Sequence, residues 1–274
     1  MVFEVTTITT MFVFYNMVAL YLLLLLLFLL PVGSYASCSD DEISGLLAFT
    51  SHVRPAIWTV HATNPHSRQS CCEWEGILCD EKWSRIVAIS LSGRKLRGAL
   101  SHGLANISSL QVLNVSINSL SGSIPDDVAS LSQLHTIDLS SNNFSGDLSF
   151  LAKSSQNSLQ HINVTSNGFH GTLLPLKNLT SLTSLWARNN SLTGGLSPLL
   201  QICEHAPPYP PLQVVDLSSN NLSGTIQEGL GNCTNLQVLD LCENHLEGPI
   251  PHGIYKLKSL SYKSRRSFVI YLEK

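Results

Sequence analysis

The feature that most constrains this chain is a unit of about 24 residues that recurs along most of its length. The unit reads Leu-x-x-Leu-x-Leu-x-x-Asn-x-Leu, with copies beginning at Leu110, Leu134, Leu159, Leu182, Leu212 and Leu236 and a degenerate first copy at Ile86. Alternating apolar pairs such as Leu113 and Val115, Ile137 and Leu139, or Leu239 and Leu241 mark a short strand whose inward side chains fill a core. One such unit cannot bury its apolar face alone, so the copies must stack, and their strands then line up as a parallel sheet. An asparagine column, Asn118, Asn142, Asn167, Asn190, Asn220 and Asn244, follows the strands where the chain turns inward. A side chain with both a donor and an acceptor can there satisfy backbone groups that the turn would otherwise bury unpaired. The first copy holds Arg94 in this column, an end effect expected of a unit with one stacked neighbour.

Beyond each column position come an apolar residue, a variable one and Gly, as in Leu120-Ser121-Gly122 and Leu222-Ser223-Gly224. Twice the run continues to Ile-Pro, at Ile124-Pro125 and Ile250-Pro251. Glycine at this point permits a backbone conformation that other residues resist. The chain is identified on this wording as a leucine-rich-repeat protein, and it resembles the plant-specific class whose unit runs Leu-x-Gly-x-Ile-Pro. The resemblance implies an α/β fold, a right-handed horseshoe solenoid with a parallel sheet on its concave face. It also implies a second short strand in each copy, which gives the solenoid a twist.

Ahead of the repeats, Asp40-Asp41-Glu42-Ile43-Ser44-Gly45-Leu46-Leu47-Ala48-Phe49 reads as a capped amphipathic helix. Cys38, Cys71, Cys72 and Cys79 cluster around it, a disulfide pattern of an oxidising compartment that allows three connectivities. The segment Cys71-Cys72-Glu73-Trp74-Glu75-Gly76-Ile77-Leu78-Cys79 resembles the N-terminal cap of plant leucine-rich-repeat receptors. That resemblance implies bonds from Cys38 to Cys71 and from Cys72 to Cys79. A cap is required because an open solenoid end would expose core.

The domain plan that follows has four parts. Residues 1–36 are a signal peptide: no charge falls between Met11 and Val32, Leu22 to Leu27 is an unbroken leucine run, and small residues at Ser34 and Ala36 suit cleavage after Ala36. The only charged residue before the run is Glu4, so an uncleaved signal-anchor is the alternative. Residues 37–85 form the cap and 86–259 about seven repeats. Those repeats include a proline-rich insertion at 203–211, read as an extended loop, that lengthens the step from Leu182 to Leu212. Residues 260–274 break the pattern. Plant receptors of this kind continue into cap cysteines, a membrane span and a cytoplasmic domain, so the chain reads as a truncated form of a longer receptor. Cys203, Cys233 and Cys242 form an odd set, read either as buried free thiols or as one bonded pair with one left over.

Composition narrows the function classes. A net charge of −3, with 13% charged residues and no basic cluster, gives no electrostatic footprint for nucleic acid. No His-Glu-x-x-His, Gly-x-Ser-x-Gly, phosphate-binding glycine loop or kinase signature occurs, so no catalytic, metal or cofactor residues are assigned. A kinase domain, if the full gene encodes one, lies outside this chain. Membrane contact is expected only through an uncleaved N-terminal segment or a missing C-terminal span. Asn106, Asn114, Asn143, Asn163, Asn178, Asn189, Asn221 and Asn232 each begin an N-glycosylation pattern, in keeping with a secretory destination and a place at the cell surface or outside it.

Function then falls to the concave face, where the outward strand positions form three columns. Most entries are small or acidic, and aspartate recurs in the middle column as local turn or strand support. His161, Trp186 and Arg188 depart from that composition. Trp and Arg are the residue types most enriched at binding hot spots, and Arg188 suits an acidic peptide group. These three are the candidate ligand contacts. In cap and repeat wording, Cys38 to Leu260 is similar to the receptors for tyrosine-sulfated peptides, phytosulfokine among them, and to related receptor-like proteins. In those receptors later repeats and an island domain, absent here, bind the hormone. The resemblance implies a receptor ectodomain that binds a peptide or protein ligand for signalling or defence with a co-receptor kinase. The alternative is a secreted leucine-rich-repeat inhibitor of a cell-wall-degrading enzyme, without signalling.

Overall fold

The computed structural model of the chain describes residues 38–58, 70–82, 84–152, 158–205 and 212–260. The segment read as a signal peptide and the tail after Leu260 lie outside the described residues.

The repeat strands build one eight-stranded sheet. It runs from β2 (Ile77–Cys79) of the cap through β3 (Ile86–Ser90), β5 (Val112–Asn114), β7 (Thr136–Asp138), β9 (His161–Asn163), β11 (Ser184–Trp186) and β13 (Val214–Asp216) to β15 (Val238–Asp240). β2 joins β3 antiparallel, and every later pair is parallel and in step, for example Leu113 opposite Ile137 and Leu185 opposite Val215. A second eight-stranded sheet runs beside the first. β1 (Val53–Arg54) opens it antiparallel to β4 (Arg97–Ala99). Then follow β6 (Ser119–Gly122), β8 (Asn143–Gly146), β10 (Gly168–Thr172), β12 (Ser191–Gly194), β14 (Asn221–Thr225) and β16 (His245–Glu247). These are the extra strands of the plant-type unit. At the β1–β4 junction Gly98 has a φ of 103°, and a Cβ there would run into the carbonyl oxygen of His52.

The core is the inner side of both sheets. Leu110, Leu113, Val115 and Leu120 of one copy are fully buried, as are Leu182, Leu185, Ala187 and Leu192 of a later one. Each buried Leu stabilises the stack by roughly 1.5–3 kcal/mol. Phe144 and Phe169 stack with ring centres 6.3 Å apart, and Phe150 lies against Phe169 at 6.1 Å.

The asparagine column carries the polar half of the core. Asn142 accepts the N–H of Leu120 in the preceding copy at 2.9 Å, and its Nδ2 donates to the carbonyls of Val115, Leu139 and Ser140. The same arrangement recurs at Asn118, Asn167, Asn190, Asn220 and Asn244, so each side chain ties its own turn to the copy before it. Arg94, which stands in this column in the first copy, instead forms an ion pair with Glu75 of the cap.

The cap helix α1 (Asp40–Phe49) starts with a capping box: Ser39 accepts the N–H of Glu42, and the Glu42 carboxylate accepts from the backbone of Ser39. The cap contains the disulfides Cys38–Cys71 and Cys72–Cys79, whose four sulfurs lie within 4.8 Å of one another.

On the side away from the first sheet, most copies carry a short 3-10 turn, such as Asp126–Ser130, Leu174–Asn178 and Glu228–Asn232. The fifth copy has a helix, α2 (Ser197–His205), in its place. This corrects the reading of 203–211 as an extended loop from its first residue: Cys203, Glu204 and His205 close α2, while 206–211 lie outside the described residues. The helix buries Leu199, Ile202 and Cys203, at i, i+3 and i+4, and Pro198 near its start is compatible with a helical first turn. Cys203 bonds to Cys233 of the next copy, and Cys242 carries no disulfide. Of the two accounts of these cysteines, the bonded pair describes the structure.

Candidate ligand-binding surface

The exposed side of the β2–β15 sheet is ruled by a middle column at the last position of each repeat strand. Asn114, Asp138, Asn163, Asp216 and Asp240 occupy it, and each turns its side-chain oxygen onto the backbone N–H two residues ahead, at 3.0–3.1 Å. Where that residue is serine, as at Ser116, Ser140 and Ser218, its hydroxyl donates to the same oxygen at 2.6–2.7 Å. The acidic column is therefore a row of Asx turns that caps the strand ends. Its carboxylates are engaged within their own turns, which supports the local-support reading of these residues.

Two copies break the row. Ser90 stands in it in the terminal copy, where Ser92 shares a hydroxyl contact with Ser116 at 2.8 Å. Trp186 breaks it in the fifth copy, in register with Asn163 on one side and Asp216 on the other. Tryptophan has no oxygen to offer. Ala187 and Asn189 donate their N–H groups to the next copy, at Asp216 and Ser218, but among the described residues no acceptor meets the N–H of Arg188. The break leaves a backbone donor beside an exposed guanidinium and a half-buried indole.

His161 lies on the neighbouring strand β9 and pairs in register with Ser184, its Nδ1 3.4 Å from the Ser184 hydroxyl. Ser184 is 5% exposed and Trp186 follows it two places on along the same face. The three candidate contacts thus fall on two adjacent rungs, with His161 half-buried in the first column, Trp186 in the second and Arg188 exposed in the third. Sequence reasoning singled out the side chains. It missed the Arg188 N–H, which shows only once the Asx turns of the other copies are seen.

The glycosylation patterns spread over several faces. Asn106, Asn178 and Asn232 end exposed 3-10 turns, Asn143 and Asn221 begin strands of the second sheet, and Asn189 lies just past β11. Asn114 and Asn163 are members of the Asx column. Among the described residues, no helix is long and apolar enough to cross a membrane.

Comparison with known proteins agrees with this architecture. Residues 210–262 match the family model for the leucine rich repeat, and residues 108–153 match that for leucine rich repeats in two copies. Phytosulfokine receptor 1 of Arabidopsis thaliana is 32% identical over 84 residues, covering 30% of this chain and 8% of that protein. Receptor-like protein 14 of the same plant is 29% identical over 182 residues, 64% of this chain and 17% of the relative. The chain thus matches only a small part of the length of these curated relatives. Among solved structures, PEPR1 bound to AtPEP1 superposes with a TM-score of 0.72 at 27% identity, over 81% of this chain and 31% of that one. The Arabidopsis receptor kinase HAESA, in complex with the peptide hormone IDA and the co-receptor SERK1, gives 0.70 at 28% identity over 81% of this chain and 37% of that one. The chain is a leucine-rich-repeat solenoid with the fold of plant receptor ectodomains.

Proposed function

We propose that this chain is the extracellular recognition module of a plant receptor-like protein or receptor-like kinase, and that it binds a peptide or protein ligand on its concave face. The observation that carries the reading is the break in the Asx column at Trp186. A row of self-satisfied turns is interrupted at one internal copy, and the interruption offers an aromatic face, a guanidinium and an unsatisfied N–H together. An acidic group of a peptide fits that set: its oxygens can take the guanidinium and the backbone N–H while the indole covers an adjacent apolar side chain. His161 borders the same patch. Recognition without catalysis suits the fold, whose solved neighbours include a receptor bound to a peptide hormone and a co-receptor. By analogy, signalling would pass through a partner kinase, and the chain would reach the cell surface through the secretory pathway, the eight glycosylation patterns being potential glycan acceptors.

The test is direct binding of a synthetic panel of acidic peptides, with and without sulfated tyrosine, to the glycosylated chain by calorimetry. Peptides that bind are expected to lose at least about thirtyfold in affinity to the Trp186→Ala, Arg188→Ala double variant, as a hot-spot pair would. Affinity unchanged in the double variant removes the assignment of the patch. Should no acidic peptide bind while a cell-wall-degrading enzyme is inhibited, the secreted-inhibitor reading replaces this one.

A further inference from the structure

Two glycosylation patterns of this chain have the same local fold and differ in one respect. Asn178-Leu179-Thr180 and Asn232-Cys233-Thr234 each end a 3-10 turn, Leu174–Asn178 and Glu228–Asn232. In each, the threonine N–H folds back onto the asparagine carbonyl, at 3.0 Å in the first and 2.8 Å in the second. The middle residues have φ, ψ of −83°, 65° and −75°, 61°, the inverse γ-turn. Both asparagines are exposed, and both middle side chains are buried, Leu179 at 1% and Cys233 at 0%. Only the second has its middle residue tethered, by the bond from Cys233 to Cys203.

We infer that glycosylation at Asn232 is gated by formation of the Cys203–Cys233 disulfide, the two modifications competing for the same stretch of nascent chain. The inference rests on the secretory route proposed above. Transfer to asparagine takes place on an extended chain: Nδ2 loses a proton and bonds to the anomeric carbon of a lipid-diphosphate-linked oligosaccharide, and the lipid diphosphate leaves. The folded γ-turn, with its centre buried, does not present that extended form. At Asn178 the turn closes only when neighbouring copies stack, so the acceptor stays open while the chain emerges. At Asn232 the partner cysteine lies 30 residues ahead in the sequence and has already entered the lumen. The cost of closing a loop grows only slowly with its length, so a separation of 30 residues does not keep the two thiols from pairing once both are present. They give up two protons and two electrons to a disulfide-carrying oxidoreductase, by thiol–disulfide exchange. The resulting bond ties Cys233 to α2 before the copies that follow have stacked.

Glycopeptide mass spectrometry of the full chain made in plant cells, read on the intracellular pool, tests this with Asn178 as the internal reference. In the wild-type chain Asn232 is expected to be occupied less than Asn178. In Cys203→Ser, which leaves the Asn232 pattern intact, its occupancy is expected to rise to match Asn178. A pulse of wild-type synthesis under dithiothreitol should give the same rise without any substitution, so a folding defect of the variant does not confuse the result. Equal occupancy of the two sites in the wild-type chain overturns the inference, as does an Asn232 occupancy that neither the variant nor the reductant moves. Absence of glycan at all eight patterns in every sample would instead overturn the secretory route on which the inference rests.

Discussion

The carboxylate of Glu42, in the cap helix, accepts the backbone N–H of Ile86, the first residue of the first repeat strand, at 3.1 Å. Its other oxygen completes the capping box with Ser39, and the side chain is only 6% exposed. One residue therefore caps α1 and satisfies an N–H at the start of the solenoid. Glu42→Ala is expected to destabilise the cap by about 2 kcal/mol, because it leaves buried donors unpaired. Glu42→Gln, which keeps an acceptor, should cost roughly half as much. Urea unfolding followed through Trp58 and Trp74, whose rings lie 6.0 Å apart inside the cap, measures both. Equal midpoints for wild type and Glu42→Ala would remove the role assigned to this side chain.

Ile117 holds a left-handed backbone, φ 55°, at a turn position where the other copies place Gly93, Ser141, Ser166, Asn189, Ser219 and Glu243. A β-branched side chain is strained there. With 63% of its surface exposed, it recovers little by burial. Ile117→Gly is expected to stabilise the chain by about 0.5–1 kcal/mol, the relief of strain exceeding the extra entropy of an unfolded glycine. A lower urea midpoint for the variant would show that Ile117 makes a contact worth more than its strain.

Acid should loosen the third copy through Asp147. Its carboxylate caps the turn Leu148–Leu151, and hydrogen bonds from the Ser149 hydroxyl and N–H, in that order, hold its pKa below the usual aspartate value. A depressed folded pKa contributes stability above the unfolded value, and that contribution disappears as pH falls through the folded one. The window therefore lies below about pH 4. Asp147→Ser keeps a capping oxygen without the titration, so its urea midpoint should fall less than the wild-type midpoint between pH 5 and pH 3. Parallel pH profiles for the two chains would exclude this contribution.

Asn114 and Asn163 fit the glycosylation pattern for a reason that the column itself supplies. The Asx turn asks for Asn or Asp, and the residue two places on is a hydroxyl in Ser116, Ser140, Thr165 and Ser218 alike. Asp138 and Asp216 make the same turn as Asn114. Asn163→Asp is therefore expected to leave stability within about 0.5 kcal/mol, whereas Asn163→Ala should cost about 1 kcal/mol. Chemical unfolding of the unglycosylated chain checks this; an aspartate variant as damaged as the alanine one would show that the column does not treat the two residues alike.

Much of the architecture was legible from the repeat because its physics is local. The spacing of Leu113 and Val115 sets a strand, Asn118 satisfies the carbonyls of Val115 and Ser116 in the turn after it, and Gly122 takes the positive φ, 81°, that the second strand needs. What escaped lies between copies or behind a misleading composition. The bond between Cys203 and Cys233 joins neighbouring copies, and a 30-residue separation carries no motif. The prolines after Cys203 suggested a loop and hid the apolar spacing of Leu199, Ile202 and Cys203 that forms α2. The candidate surface was half legible: Trp186 and Arg188 stood out by residue type, but the Arg188 N–H became visible only as the missing member of a hydrogen-bonded row.

That missing member suggests a substitution that separates binding from stability. Asparagine at position 186 would stand between Asn163 and Asp216 and could close the same Asx turn, accepting the Arg188 N–H as its neighbours accept theirs. Trp186→Asn is therefore expected to hold or raise the urea midpoint, since one satisfied turn contributes about 0.5–1.5 kcal/mol while a half-buried indole gives up only part of its burial. The same change covers the backbone donor and removes the aromatic face, so acidic-peptide affinity should fall at least as far as in Trp186→Ala. Calorimetry and urea unfolding on one preparation read both quantities. A stable variant that still binds at wild-type affinity would show that neither the indole nor the exposed N–H takes part in recognition, and Arg188 would have to account for the contact alone.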